Sequence, residues 1–134
     1  MSHQMTFLFV CAHNAGRSQM AAALLNYEDG RHFRGISAGT LPAETVNPVV
    51  NEALDELHVP LQAGTPKQLT PDLIATADRV ISMGCGVSDQ CPTHLGLRVD
   101  EEWNIPDPAD RPLDEVRRIR DTIRAKIKQL VRTA

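Results

Sequence analysis

The segment Cys11-Ala12-His13-Asn14-Ala15-Gly16-Arg17-Ser18 sets a thiol and a guanidinium either side of five residues, between an apolar run and a row of helix formers. Residues arching over a sulfur can aim their backbone N–H groups at a bound anion, as nests and helix N-termini do. The same N–H groups, with Arg17, stabilise a thiolate. Arg17 can grip two oxygens of a tetrahedral oxyanion in a fork, Gly16 permits a tight turn, and Ser18 adds a hydroxyl. The expected chemistry is attack by Cys11 on an oxyanion centre held by residues 11–18. Spacing alone is weak evidence, because eleven of the 134 residues are Arg. A buried strand-end thiol beside a surface charge would look the same. The flanks favour chemistry: Met5–Cys11 reads as a strand, and Ser18–Leu25 as the start of a helix.

Two other stretches carry reactive groups. Met83-Gly-Cys85-Gly-Val-Ser-Asp-Gln-Cys91-Pro92 puts two thiols in a polar, glycine-bearing loop. They could relay a disulfide with Cys11, or be ordinary thiols. Cys91-Pro-Thr-His94 adds a histidine, but zinc sites use four ligands at paired short spacings, and the fourth would have to be Cys11 or an acidic residue; no metal is expected. Asn104-Ile-Pro-Asp107-Pro-Ala-Asp110-Arg-Pro112 is a proline-stiffened loop. Asp107 is expected to protonate a departing oxygen, while Asp110, nearer Leu113, suits the start of the last helix. His13 is expected to contribute its backbone and expose its ring. The basic side chains between Arg117 and Arg132 read as a solvated helix face.

These residues need elements to position them. Met5–Cys11, His32–Ala38, Arg79–Met83 and Leu97–Trp103 are expected strands, the last a weak edge strand. Ser18–Tyr27 is an expected helix. Asn47-Pro48 and Thr70-Pro71 are cap-plus-proline starts of helices reaching Leu57 and Ala77. From Leu113 to the C-terminus, Val116, Ile119, Ile123, Ile127 and Leu130 form one apolar stripe. The alternation predicts a single α/β domain over 1–134: a four-stranded parallel sheet with helices on both faces in three layers. Ligands on such sheets bind beyond the strands' carboxyl ends, which would gather Cys11, Gly39, Gly84 and Asp107 at one rim.

Composition narrows the functional classes. A formal charge of −3 and few aromatic residues argue against nucleic-acid binding. No apolar run approaches the length of a membrane span. Met-Ser-His-Gln-Met lacks the basic and apolar regions of a signal peptide, so a cytoplasmic location is expected, where disulfides are usually transient and catalytic.

The loop Cys11–Ser18 continued by Gln19-Met20-Ala21, the strand end Ser37-Ala-Gly39-Thr40, the acid stretch Asp107-Pro108-Ala109, and Cys85 with Cys91-Pro92 together resemble the thiol-coupled arsenate reductases of the low-molecular-weight phosphotyrosine-phosphatase fold. Phosphatases of that fold usually place Pro after the loop Ser and aromatic residues after the Asp-Pro; neither is present here. The resemblance implies arsenate bound by Cys11, Ala12, His13, Asn14, Ala15, Gly16, Arg17 and Ser18. It implies catalysis by Cys11, Arg17 and Asp107, a Cys11/Cys85/Cys91 disulfide relay, thioredoxin as reductant, and no cofactor. In the best-studied branch a potassium-associated carboxylate lies where this chain reads Gly64-Thr65-Pro66-Lys67. Here Lys67 is expected to steady the anion loop through Asn14 or nearby carbonyls. Three alternatives remain: a phosphatase using Cys11, Arg17 and Asp107 alone; a reductase served by a low-molecular-weight thiol and a glutaredoxin-like protein; and a non-enzymatic oxyanion-binding or redox-sensing module.

Overall fold

β1 (Met5–Cys11) lies inside the sheet and has two buried faces. Its side chains alternate, sending Phe7, Phe9 and Cys11 to one apolar cluster and Leu8 and Val10 to another. The computed structural model describes residues 4–61, 65–84 and 96–134. β2 (Phe33–Gly39) and β3 (Arg79–Ser82) flank β1, and β4 (Glu101–Glu102) adds to β3, giving an all-parallel sheet in the order β2-β1-β3-β4. The expected four-stranded parallel sheet is therefore present.

α1 (Arg17–Asp29), α2 (Pro48–Asp55) and α4 (Leu113–Thr133) share the cluster with Phe7 and Phe9. α3 (Pro71–Thr76) packs with Leu8, Val10 and Val80 on the opposite face. Ser18 to Leu25 are buried all round α1, because it lies between the sheet and α4. The five stripe residues of α4 are buried as the periodicity requires. Asn47 and Thr70 cap their helices, accepting from Val49 N–H at 3.0 Å and Leu73 N–H at 3.2 Å. Among the described residues no helix is long and apolar enough to cross a membrane.

Three expectations need correction. β4 is only two residues long, and the Asp100 carboxylate, not a ladder partner, takes the Val80 N–H at 2.8 Å. Asp110 does not cap α4: the cap position is Pro112, without a side-chain bond, and Asp110 adopts a left-handed φ of 59°. The basic face of α4 is not wholly solvated either. Arg117 and Arg120 both bind Glu56, with Nη2–Oε2 at 2.6 Å and Nη1–Oε1 at 2.8 Å, and Arg120 Nη1 also donates to Ala53 O at 2.8 Å. This cluster ties the end of α2 to α4.

The Arg117 hydrogen bonds, helped by Arg120, hold the Glu56 carboxyl at about 2, below its ordinary 4.5. A depressed folded-state value means the contribution to stability is full above 4.5 and is lost as pH falls toward 2. Glu56→Gln is expected to lower the melting temperature at pH 7. The gap from wild type should close across that acid window, as measured by thermal melts at stepped pH.

Candidate active site

The parallel register brings the four expected positions to one rim. Cys11 is paired with Gly39 at the ends of β1 and β2, and Met83-Gly84 and Asp107 follow β3 and β4. Cys11, His13, Ala15, Gly16, Arg17, Asn47, Asp107 and Ala109 line a pocket of about 70 Å³ there. Its size suits a small tetrahedral anion, and among the described residues no Phe, Tyr or Trp lines it.

The loop owes its shape to what holds it from outside. The carbonyls of Ala12, His13 and Ala15 accept from the N–H groups of Leu41, Ala43 and Asn47 at 2.8, 2.9 and 2.9 Å. In a trans peptide the following N–H lies opposite its carbonyl, so the N–H groups of His13, Asn14 and Gly16 turn away from the 41–47 segment. Asn14, not Gly16, is the left-handed residue, with φ 51°. Asn tolerates that region better than most residues, and here it is fully buried and satisfied.

The Asn14 bonds fix the direction of a proton chain. Lys67 N–H can only donate, and it donates to Asn14 Oδ1 at 2.8 Å. The other end of the amide, Nδ2, therefore donates to Ser18 Oγ at 2.7 Å. Ser18 has one hydroxyl proton left to give, and Cys11 Sγ lies 2.8 Å away. The Ser18 hydroxyl is thus free to donate to the Cys11 sulfur. The expected link from Lys67 to Asn14 is present, but the main-chain N–H makes it.

Arg17 is anchored before it meets any ligand. Its Nη1 donates to the carbonyls of Met83, Gly84 and Ile105 at 3.0, 2.6 and 3.0 Å, which leaves Nη2 facing Asp107 Oδ2 at 3.8 Å. Gly84 has φ 94°, and a Cβ there would come within 2.7 Å of Ile105 O and 3.1 Å of Arg17 Nη1. Any larger residue at 84 would clash with the Ile105 backbone and crowd the guanidinium.

Asp107 is half exposed, at 51%, and its Oδ1 accepts from Ala109 N–H at 3.0 Å. Pro108 lies directly on Gly16: a Cβ on Gly16 would sit 2.6 Å from Pro108 Cγ. Gly16 is thus needed for this close approach as well as for its place before α1.

His13 is exposed at the pocket mouth and its carbonyl is held by Ala43. Cys85 and Cys91 lie outside the described residues, as does His94. Asn47 is a pocket residue that the sequence identified only as a helix cap. The Asn-Pro pair marked the cap, but no local pattern shows where the rest of its amide points.

The proton chain makes a paired prediction. Ser18→Ala removes the donor to Cys11 and should slow Cys11 alkylation at neutral pH by about tenfold, the scale of a hydrogen bond to a charged group. Asn14→Asp keeps the acceptor for Lys67 but cannot donate to Ser18, so it should also slow alkylation. Iodoacetamide labelling mapped by mass spectrometry separates Cys11 from the other thiols. A slow Ser18→Ala beside a normal Asn14→Asp would refute the chain's direction.

Residues 6–134 match the family model described as low molecular weight phosphotyrosine protein phosphatase. The chain is 32% identical over 133 residues to arsenate reductase 1 of Bacillus cereus, covering 99% of this chain and 98% of that one. Among solved structures it is 38% identical to a thioredoxin-dependent arsenate reductase of Corynebacterium glutamicum, at a TM-score of 0.77, covering 98% of this chain and 62% of that longer one. An arginine phosphatase from Geobacillus stearothermophilus also has a TM-score of 0.77, at 27% identity, with 94% and 90% covered. Matched over nearly its whole length, the chain belongs to the low molecular weight phosphotyrosine protein phosphatase family, and within it resembles the thiol-coupled arsenate reductases.

Proposed function

We propose that the protein reduces arsenate to arsenite with Cys11 as nucleophile, and that Cys85 and Cys91 carry the resulting disulfide out to a thioredoxin-type dithiol. The observation that carries this reading is the buried Cys11 thiol at the floor of a small pocket, 2.8 Å from a hydroxyl oriented to donate, with Arg17 and Asp107 on the same pocket. The arsenate reductases of Bacillus cereus and Corynebacterium glutamicum support the substrate, and the second of them supports the reductant.

Arsenate enters the loop and is held by inward N–H groups and the free side of the Arg17 guanidinium. Cys11 thiolate attacks arsenic as Asp107 protonates a departing oxygen, which leaves as water. The Cys85 thiolate then attacks Cys11 sulfur. The sulfur–arsenic bond breaks, its electron pair stays on arsenic, and arsenite departs from a Cys11–Cys85 disulfide. Cys91 attacks Cys85 and frees Cys11. The external dithiol reduces Cys85–Cys91 and supplies the two electrons that arsenic received.

A second reading is hydrolysis of small phosphomonoesters by Cys11, Arg17 and Asp107, favoured because those three share one pocket. The cysteines discriminate. Cys11→Ser should abolish both activities. Cys85→Ser should abolish arsenate reduction and leave any phosphatase activity intact. Cys91→Ser should stop after one turnover with Cys11 joined to Cys85, seen by peptide mapping of arsenate-treated protein. Arsenite production is to be compared with thioredoxin and with a low-molecular-weight thiol plus glutaredoxin. Wild-type rates from both relay variants with thioredoxin would overturn the relay.

A further inference from the structure

We propose that Asn47 is a positioning residue for the general acid, setting the height of Asp107 above Cys11 by bridging the anion loop and the acid loop. The proposal rests on the reading of Asp107 as the acid. Among the described residues Asp107 has little else to hold it. It is half exposed, its Oδ1 is spent on Ala109 N–H, and its Oδ2 lies 3.8 Å from Arg17 Nη2. Its distance from the sulfur therefore depends on where the backbone at 107–109 rests. That backbone meets the anion loop through the Pro108 ring on Gly16, and it meets Asn47 through the Pro108 carbonyl.

Asn47 is tied on three sides. Its N–H donates to Ala15 O at 2.9 Å, inside the anion loop. Its Oδ1 takes the Val49 N–H at 3.0 Å, which identifies the oxygen end of the amide. Nδ2 is then the end facing Pro108 O, at 3.5 Å, a carbonyl that also accepts from Arg111 N–H at 3.2 Å. One rigid amide, anchored to α2 and to the anion loop, thus stops the acid loop at a set distance. The contact is at the long end of hydrogen bonding, so it guides the loop without locking it. A proton donor displaced by a fraction of an ångström from its acceptor loses much of its effect, so such a stop bears on rate more than on binding.

The test is a double-mutant cycle between Asn47 and Asp107. Asn47→Ser and Asn47→Thr keep a good helix cap but are too short to reach Pro108. Two reactions are followed: arsenite release from arsenate with excess dithiothreitol, and hydrolysis of phenyl phosphate. Inorganic phosphate affinity is read from protection of Cys11 against alkylation, and α2 from the melting temperature. Asp107→Asn should lower kcat by about a hundredfold, the scale of general acid catalysis. Asn47→Ser should lower kcat by about tenfold in wild type but by less than about twofold in the Asp107→Asn background, because both act through one proton transfer. Phosphate affinity and melting temperature should stay close to wild type. Equal effects of Asn47→Ser in both backgrounds, or no effect in wild type, would overturn this proposal and leave the acid reading standing. A neutral Asp107→Asn would remove the acid reading and this proposal with it, and so would a wild-type chain inactive in both reactions.

Discussion

The active-site loop depends on one buried asparagine. Asn14 is left-handed, with φ 51°, and fully enclosed, so its backbone strain and its polar amide both need compensation from neighbours. Lys67 N–H, Gln19 Nε2 and Ser18 Oγ supply it, from the α2–α3 connection and from α1. The same bonds that make the turn affordable also decide which way the Ser18 hydroxyl points. The shape of the loop and the hydrogen bond between Ser18 and the Cys11 sulfur thus belong to one network.

Arg17 shows a similar economy. A guanidinium has five donors in a plane, and this one spends Nη1 on three carbonyls from two different loops. Those bonds hold the ends of β3 and β4 together at the rim, and they pre-orient the remaining donors. A lysine could supply the charge, but it could not tie down both loops and still present a fork to an anion. The flat seat requires Gly84, whose positive φ and lack of a Cβ let Ile105 O and Arg17 approach together.

Away from the rim the molecule uses charge for assembly. Glu56 collects Arg117 and Arg120 at the junction of α2 and α4, and Asp100 collects Arg98 and the Val80 N–H at the sheet edge. Both carboxyls are held below their ordinary range, chiefly by the arginine hydrogen bonds. These pairs join elements distant in sequence. α2 carries Asn47 at its head, so the Glu56 cluster at its tail helps keep the helix behind the pocket in place.

The sequence by itself determined the elements and the rim. A short apolar run placed β1 at Met5–Cys11, period-3.6 patterning placed the buried stripe of α4, and cap-plus-proline pairs placed the starts of α2 and α3. These are local properties, so short stretches of chain encode them. Strand and helix alternation then put Cys11, Gly39, Gly84 and Asp107 on one edge, because parallel strands end together. Only the tertiary structure decided how the site is held. Asp110 left the capping role to Pro112, β4 shrank when the Asp100 carboxylate took a ladder donor, and Arg120 left the solvated face for Glu56 and the Ala53 carbonyl. That Lys67 serves through its main chain, that Arg17 anchors two loops, and that Asn47 faces Pro108 are likewise facts of long-range contact. Each depends on the direction of a hydrogen bond between residues dozens of positions apart, and such a direction exists only once the chain has packed.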